Sequence, residues 1–260
     1  MIKLKSPAEI DAMREAGKAV SAALSAMKDA IVPDQTTTAQ LDDVAHEVLK
    51  AHGAVPTLLG YKPSFSKVPY PRCTCISVND EILHAVPSEK RILRTGDVVT
   101  LDLDASIDGW VADSAITVGV GEISAQAKNL ILVTRESLYK AIAQAKPGNT
   151  MGDVSAAMQR HVERSRFNVI RSCTGHGIGR SPHEDPSVPC YGRPNSGPRL
   201  KPGMTFCIEP MVMTGHWEVV HKPGDDWTIF TEDGSLSAHF EHTVAITEKG
   251  VDILTLPSAA

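Results

Sequence analysis

No block of lysine and arginine runs through these 260 residues; 26 basic residues stand against 31 acidic ones, a net charge of -5. Clustered positive charge of the kind that grips nucleic acid is missing, so DNA is excluded as a partner, and acidic side chains are available for work inside the fold. Long apolar runs are missing from the N-terminus as well. In "MIKLKSPAEIDAMREAGKAVSAAL" charges interrupt every hydrophobic stretch, which predicts neither a signal-peptide core nor a membrane span. The five cysteines, Cys73, Cys75, Cys173, Cys190 and Cys207, are odd in number and form no CxxC pair. A zinc ribbon is thereby excluded, and a reducing, cytoplasmic setting is expected. With 42% hydrophobic and 22% charged residues the chain is not disordered. It shows no coiled coil or obvious exposed apolar helix, so a monomer is expected.

"SPAEIDAMREAGKAVSAALSAM" opens with a capping box at Ser6 and Glu9 and a proline at the first helical position, then repeats Ile10, Met13, Val20, Leu24 and Met27 on one face. Further helices are predicted over 37–51, 125–146 and 150–165, and strands over 73–79, 97–104, 110–118, 204–209 and 238–247. His46, His52 and His161 read as surface or packing residues on these helices. The order of helices, strands, helices, strands predicts an α+β fold with one mixed or antiparallel sheet and helices on one face.

The chain also resembles itself. "LRTGDVVTLDL" from Leu93 aligns with "LKPGMTFCIEP" from Leu200, pairing Gly96 with Gly203 and Asp102 with Glu209. "DSAITVG" from Asp113 resembles "EHTVAIT" from Glu241, and "VPDQT" before the second helix resembles "KPGNT" before the fourth. Two diverged halves would bring four carboxylates together in the middle. In the hairpin "VVTLDLDASIDGWVADSAITV" a tight turn at Asp108-Gly109 sets Asp104 opposite Asp113 and Asp102 diagonal to it. Register alone does not choose between Asp102 and Asp104; the repeat selects Asp102.

Carboxylates inside apolar strands are costly unless each finds an Arg, Lys or backbone partner, or a cation. Four of them with internal symmetry, beside the histidines of "SCTGHGIGRSPHEDP", favour the cation. Oxygen-rich donors with one imidazole suit two divalent first-row metals, and such a pair suits hydrolysis.

"LDLDASIDGWVADSA", "TGHGIGRSPHEDP", "FCIEPM" and "SAHFEHTVAIT", in this order and spacing, resemble the metal-binding segments of the pita-bread metallopeptidases. Over nearly its whole length the chain resembles the type I methionine aminopeptidases, "CISVNDEILHAVP" supplying the additional histidine that this family carries. The resemblance implies a pita-bread fold, with a central antiparallel sheet flanked by helices and one catalytic domain, 1–260, of two pseudo-symmetric halves, about 1–120 and 121–260. It implies Asp102, Asp113, His176, Glu209 and Glu241 as ligands of two divalent ions (Co, Mn, Fe, Ni or Zn). It further implies attack of a metal-bridging hydroxide with Glu209 relaying the proton, His183 on the substrate carbonyl and His84 on the scissile nitrogen. Tyr61, Tyr70, Cys75 and Trp227 correspond to the methionine pocket. The implied activity is removal of the initiator methionine from nascent chains with a small second residue, in the cytoplasm and with association to the ribosome.

Three departures from the family pattern stand out. "KPSFSKV" between Tyr61 and Tyr70 is an insertion, Ala112 precedes Asp113 in place of glycine, and Pro182 precedes His183 in place of a larger apolar residue. "HEDPS" lacks the second histidine of HExxH. His216 and His221 read as hairpin residues, and strand alternation is expected to turn both His239 and His242 away from the face of Glu241. Two rivals follow: an Xaa-Pro aminopeptidase or prolidase with the same ligands, and a binding module of the same fold that has lost catalysis.

Overall fold

The computed structural model describes residues 1–63 and 66–257. Ser64 and Phe65, in the inserted segment, and the last three residues lie outside it. Helix α1 spans Pro7–Asp29, its capping box at Ser6 and Glu9 formed as the sequence predicts. α2 is Thr38–Ala51, capped by Thr37 and Gln40. α3 (Ala125–Ile142) and α4 (Met151–Arg164) complete the helices among the described residues. Each presents an apolar stripe to the core: Ala16, Val20, Leu24 and Leu41 in the first pair, Leu138, Val154 and Met158 in the second.

The helices cover a nine-stranded antiparallel sheet. Its central order runs Val98–Ile107, Trp110–Gly119, Glu241–Thr247, Thr205–Ile208, Thr174–Gly177, Glu184–Pro189. N-terminal strands therefore meet C-terminal ones in mid-sheet, where Glu241 pairs with Ala115 and His242 with Ser114. Side chains stitch this seam: the Asp113 amide donates to Thr243 Oγ1 at 2.9 Å, and Ser114 Oγ donates to the Glu241 carbonyl at 2.7 Å.

The internal repeat is visible in backbone bonds. The amides of Asp34 and Leu93 donate to the carbonyls of Leu93 and Thr36; those of Gly148 and Leu200 donate to Leu200 and Asn149. Gly96 (φ +103°) donates to Val120 and Gly203 (φ +91°) donates to Ile246, each glycine supplying a left-handed turn that feeds a central strand. The helix caps Thr37 and Thr150 bridge to Ile92 and Arg199 in the same way. The first copy carries one additional residue before its cap.

Two expectations change at the edges. The stretch expected as one strand over 238–247 is two, Ser237–His239 and Glu241–Thr247, in different sheets, with Phe240 at the break. Short strands such as Met211–Met213 and Ile229–Thr231 form two small three-stranded sheets, and elements of three residues are too short to show a period in sequence.

Candidate metal centre

The hairpin register sets Asp104 directly opposite Asp113, with Asp102 paired to Ala115 on one side and Cys75 on the other. From the second half, Glu209 directly follows the strand Thr205–Ile208 and Glu241 begins the next one over. These five carboxylates, with His84, His176, His183 and His239, line one cavity of about 130 Å³. Among the described residues that wall it there is no lysine or arginine. The cavity is acidic with nothing of opposite sign built in.

His176 is held in its strand with Nδ1 3.1 Å from the Gly177 carbonyl, which turns Nε2 inward, 3.5 Å from Glu209 and 3.9 Å from Asp113. Its ring lies 4.2 Å from that of His183, centroid to centroid. His84 stands just past the strand Glu81–Leu83 at φ +60°, a left-handed conformation that a non-glycine side chain adopts only when its surroundings impose it. The glycines of "TGHGIG" let neighbouring chain pack closely against this strand. A Cβ on Gly175 would stand 2.5 Å from the Cys207 carbonyl, and one on Gly177 would strike the Asp185 carbonyl.

The fully buried His239 corrects an expectation. It lies two residues before Glu241, and in extended backbone that spacing keeps one face, so its Nε2 sits 3.6 Å from Glu209 and 3.9 Å from Glu241. His242 does point away, its Nδ1 2.8 Å from Thr255 Oγ1. His161 reaches Glu136 at 3.0 Å on the surface, while His46 and His52 are exposed, as the sequence indicates.

Burial and mutual repulsion shape the charges. Burial first, then the neighbouring carboxylates, push Asp113 and Glu241 well above the usual carboxylate range; burial, then Asp102, does the same to Glu209. Asp102 is pushed up to about 8 by burial and Asp104. Burial also raises Asp104, and the nearby Thr57 and Leu58 draw it back. The imidazoles go the other way: burial lowers His84 to about 4, and His176 and His239 to about 3.

Several buried polar atoms here have no hydrogen-bond partner: Asp104 Oδ1, Asp113 Oδ1, Glu241 Oε1 and both nitrogens of His239. Such atoms are rare in folded proteins and call for a ligand. Donor atoms of Asp113, His176, Cys207 and Glu241 converge within 4.8 Å, as do those of Glu209, His239 and Glu241. Two overlapping donor sets sharing Glu241 fit divalent cations of the hard to borderline kind. Asp102 stands outside both tight sets and borders the same cavity. Burial and the surrounding carboxylates hold the Cys207 thiol well up, which makes it a packing residue beneath the site.

A second cavity, about 150 Å³, adjoins the first and shares Leu58, His84 and His183 with it; Tyr61, Tyr70 and Trp227 complete its wall. Tyr70 meets Trp227 edge to face at 4.9 Å, and its hydroxyl reaches the carbonyls of Thr74 (3.1 Å) and Ala85 (3.0 Å). Cys75 packs in the same cluster. Tyr61 lies on the His183 ring, its hydroxyl 3.4 Å from Nδ1. Both tyrosines flanking the insertion thus reach the pocket.

A curled antiparallel sheet whose two halves close on a nest of carboxylates is the architecture of the pita-bread metallopeptidases. The model of metallopeptidase family M24 matches residues 11–248, and this chain belongs to that family. Methionine aminopeptidase 1 of Bacillus subtilis (strain 168) is 46% identical, over 98% of this chain and 99% of that protein. The crystal structure of the methionine aminopeptidase of Thermotoga maritima superposes with a TM-score of 0.93 at 45% identity, over 98% of this chain and 99% of that one. The prolidase from Pyrococcus furiosus shares the fold, with a TM-score of 0.76 at 23% identity, over 98% of this chain and 66% of that one.

Proposed function

We propose that this protein is a metal-dependent aminopeptidase that removes N-terminal methionine from peptides and nascent proteins with a small second residue. The observation that carries this reading is the junction, through His84 and His183, of an aromatic pocket with an acidic cavity that has no lysine or arginine among the described residues of its wall. Asp102, Asp113, His176, Glu209 and Glu241 would hold two divalent ions, with Co, Mn, Fe, Ni and Zn all suited to such donors. When bound, the ions lower the pKa of water and polarise a carbonyl.

The remaining work falls to the chain. Glu209 accepts the proton of the attacking water and passes it to the leaving amine nitrogen. His183, its pKa lowered by burial, pairs Nδ1 with the Tyr61 hydroxyl and turns Nε2 to the substrate carbonyl and its developing oxyanion. His84 contacts the scissile nitrogen from its fixed left-handed position. Tyr61, Tyr70, Cys75 and Trp227 receive the unbranched thioether, which packs well on aromatic faces. The chain acts as one catalytic domain, residues 1–260, whose halves, about 1–120 and 121–260, each supply two carboxylate ligands. No helix among the described residues is long and apolar enough to cross a membrane. A monomer meeting its substrates in the cytoplasm, at the ribosome, is the matching cellular picture.

The test is peptide hydrolysis by metal-stripped protein with Mn or Co added back, comparing Met-Ala-Ser with Ala-Pro-Ser. Metal-dependent release of methionine alone, lost in Asp102→Asn and His183→Ala, is the expected result. Release of alanine before proline would move the protein to the Xaa-Pro branch. No turnover with metal bound would make it a binding module.

A further inference from the structure

His183 stands in the turn between the strands Thr174–Gly177 and Glu184–Pro189, its ring met by those of Tyr61 and His176. A side chain in a turn points where the backbone on either side aims it. The ladder is irregular here, since His176 faces Ser187 while the next residue, Gly177, faces Glu184. Regular pairing is broken where the turn begins, and side chains take over its closure.

Glu184 makes that closure. Its Oε1 accepts from the Arg180 amide at 3.1 Å, and its Oε2 accepts from Lys5 Nζ at 2.7 Å. The other end of the turn is held separately: the Val111 amide donates to the Gly179 carbonyl at 2.8 Å, and Arg180 Nη1 to the Asp108 carbonyl at 2.7 Å.

Lys5 arrives from just before helix α1, and its ion pair with Glu184 is buried, the two side chains 5% and 8% exposed. In a pair so buried the lost hydration offsets the attraction, and apolar residues of similar size often serve stability as well or better. What the pair supplies is geometry. The neighbouring chain is fitted around it: a Cβ on Gly179 would stand 2.5 Å from Lys5 Cε and 2.8 Å from Nζ. The Lys5 amide donates to the Gly203 carbonyl at 2.7 Å, at the turn that feeds the strand Thr205–Ile208 and Glu209 after it. One residue thus ties the turn of His183 to the strand of Glu209.

We propose that Lys5 is a positioning residue: through Glu184 it holds the turn so that the His183 imidazole faces the substrate carbonyl. This rests on the role of His183 given under Proposed function. Lys5 lines neither the acidic cavity nor the aromatic pocket, so it acts through His183 and not on the substrate. Moving a group that meets the transition state by about 1 Å costs up to about a hundredfold in rate, and an interaction made only there is lost from kcat and not from KM.

The test compares Mn-loaded wild type with Lys5→Met and Lys5→Met/Glu184→Leu, each assayed on Met-Ala-Ser well below its melting temperature. The single variant leaves Glu184 buried without its partner and should melt lower. The double variant removes both charges and should recover stability, which separates folding from positioning. In both, kcat should fall about ten- to a hundredfold, with KM within about twofold of the wild type, as expected of a displaced transition-state partner. Bound Mn, measured by atomic absorption, should stay at the wild-type level. In Zn-loaded protein the ring NMR signals of His183, identified by their absence from His183→Ala, should shift in both variants, while those of His161 on the surface stay in place. A wild-type kcat in the double variant, or unmoved His183 signals, would overturn the proposal by reducing Lys5 to a staple of the N-terminal segment. Loss of Mn would overturn it by moving the effect to the metal centre. Wild-type protein that leaves Met-Ala-Ser intact would overturn the reading under Proposed function, whereas a loss confined to the variants concerns Lys5 alone.

Discussion

The acidic cavity and the aromatic pocket share a wall and follow opposite rules. In the first, Asp113, Glu241 and His239 are buried with polar atoms unpartnered, and among the described residues of the wall no lysine or arginine answers them. In the second, the Tyr70 hydroxyl is bonded to backbone, the rings of Tyr70 and Trp227 pack edge to face, and the cluster resembles an ordinary core. The difference teaches which part of the molecule was shaped by stability and which by chemistry. The pocket stabilises the fold whether or not a substrate comes, whereas the centre opposes folding until a cation arrives. Variants should therefore separate the two regions by the sign of their effect.

Loss of a centre carboxylate should produce the largest change. Glu241→Gln is expected to cut peptide hydrolysis more than a hundredfold, while the metal-free protein melts at a higher temperature than the wild type, because folding no longer has to force a proton onto a carboxyl that ionises in the unfolded chain. Steady-state kinetics and a melting curve in chelator check both halves. A metal-free Tm below the wild type would break the comparison. Trp227→Ala, on the pocket side, should cost about 3–5 kcal/mol, the usual range for emptying a buried aromatic. Its denaturant midpoint should fall in the presence and absence of metal alike.

The pH dependence follows from the same contrast. Asp102, Asp113, Glu209 and Glu241 have folded pKa values raised above the unfolded ones, so the folded state holds protons that the unfolded state has released. Stability of metal-free protein must then fall as pH rises, from the ordinary carboxylate range up through about 8, the value for Asp102. The lowered histidines work in the opposite sense, but only below their unfolded value of about 6.5. The clean window is pH 6.5 to 8. Urea unfolding in chelator across that window should show stability falling, and saturating Mn should remove the slope. A metal-free slope of zero would mean that the carboxylates are neutralised by something else.

Much of this contrast was legible in the sequence, and the reason is physical. Capping boxes, the Asp108-Gly109 turn and the repeat around Gly96 and Gly203 are local devices, so the hairpin register that sets Asp104 against Asp113 could be read from a few residues. Carboxylates in apolar strands announce themselves because burial there is so costly. His239 stands two residues from Glu241 and shares its face, so strand parity places it toward the centre, not away from it. The break at Phe240 could not be read at all, because it depends on Ser237–His239 pairing with Met211–Met213 in another sheet. Nor could the glycines of "TGHGIG" show that their neighbours are the Asp185 carbonyl of the following strand and the Cys207 carbonyl, brought in from much further along the chain.

The smallest expected effect sharpens the comparison most. Tyr70→Phe removes one hydroxyl and keeps the ring. The Ala85 carbonyl retains the Ile76 amide at 3.0 Å, so the loss falls mainly on the Thr74 carbonyl, and about 1 kcal/mol of stability should go, a fall of roughly 2–4 °C in Tm. Because that hydroxyl is committed to backbone, only the face of the ring is offered to a side chain in the pocket. KM for Met-Ala-Ser should accordingly stay within about twofold of the wild type, the margin left when no hydrogen bond is lost. A KM raised tenfold with Tm unchanged would mean that the hydroxyl reaches the substrate, and the pocket would then share the centre's character of polar groups held ready for a ligand.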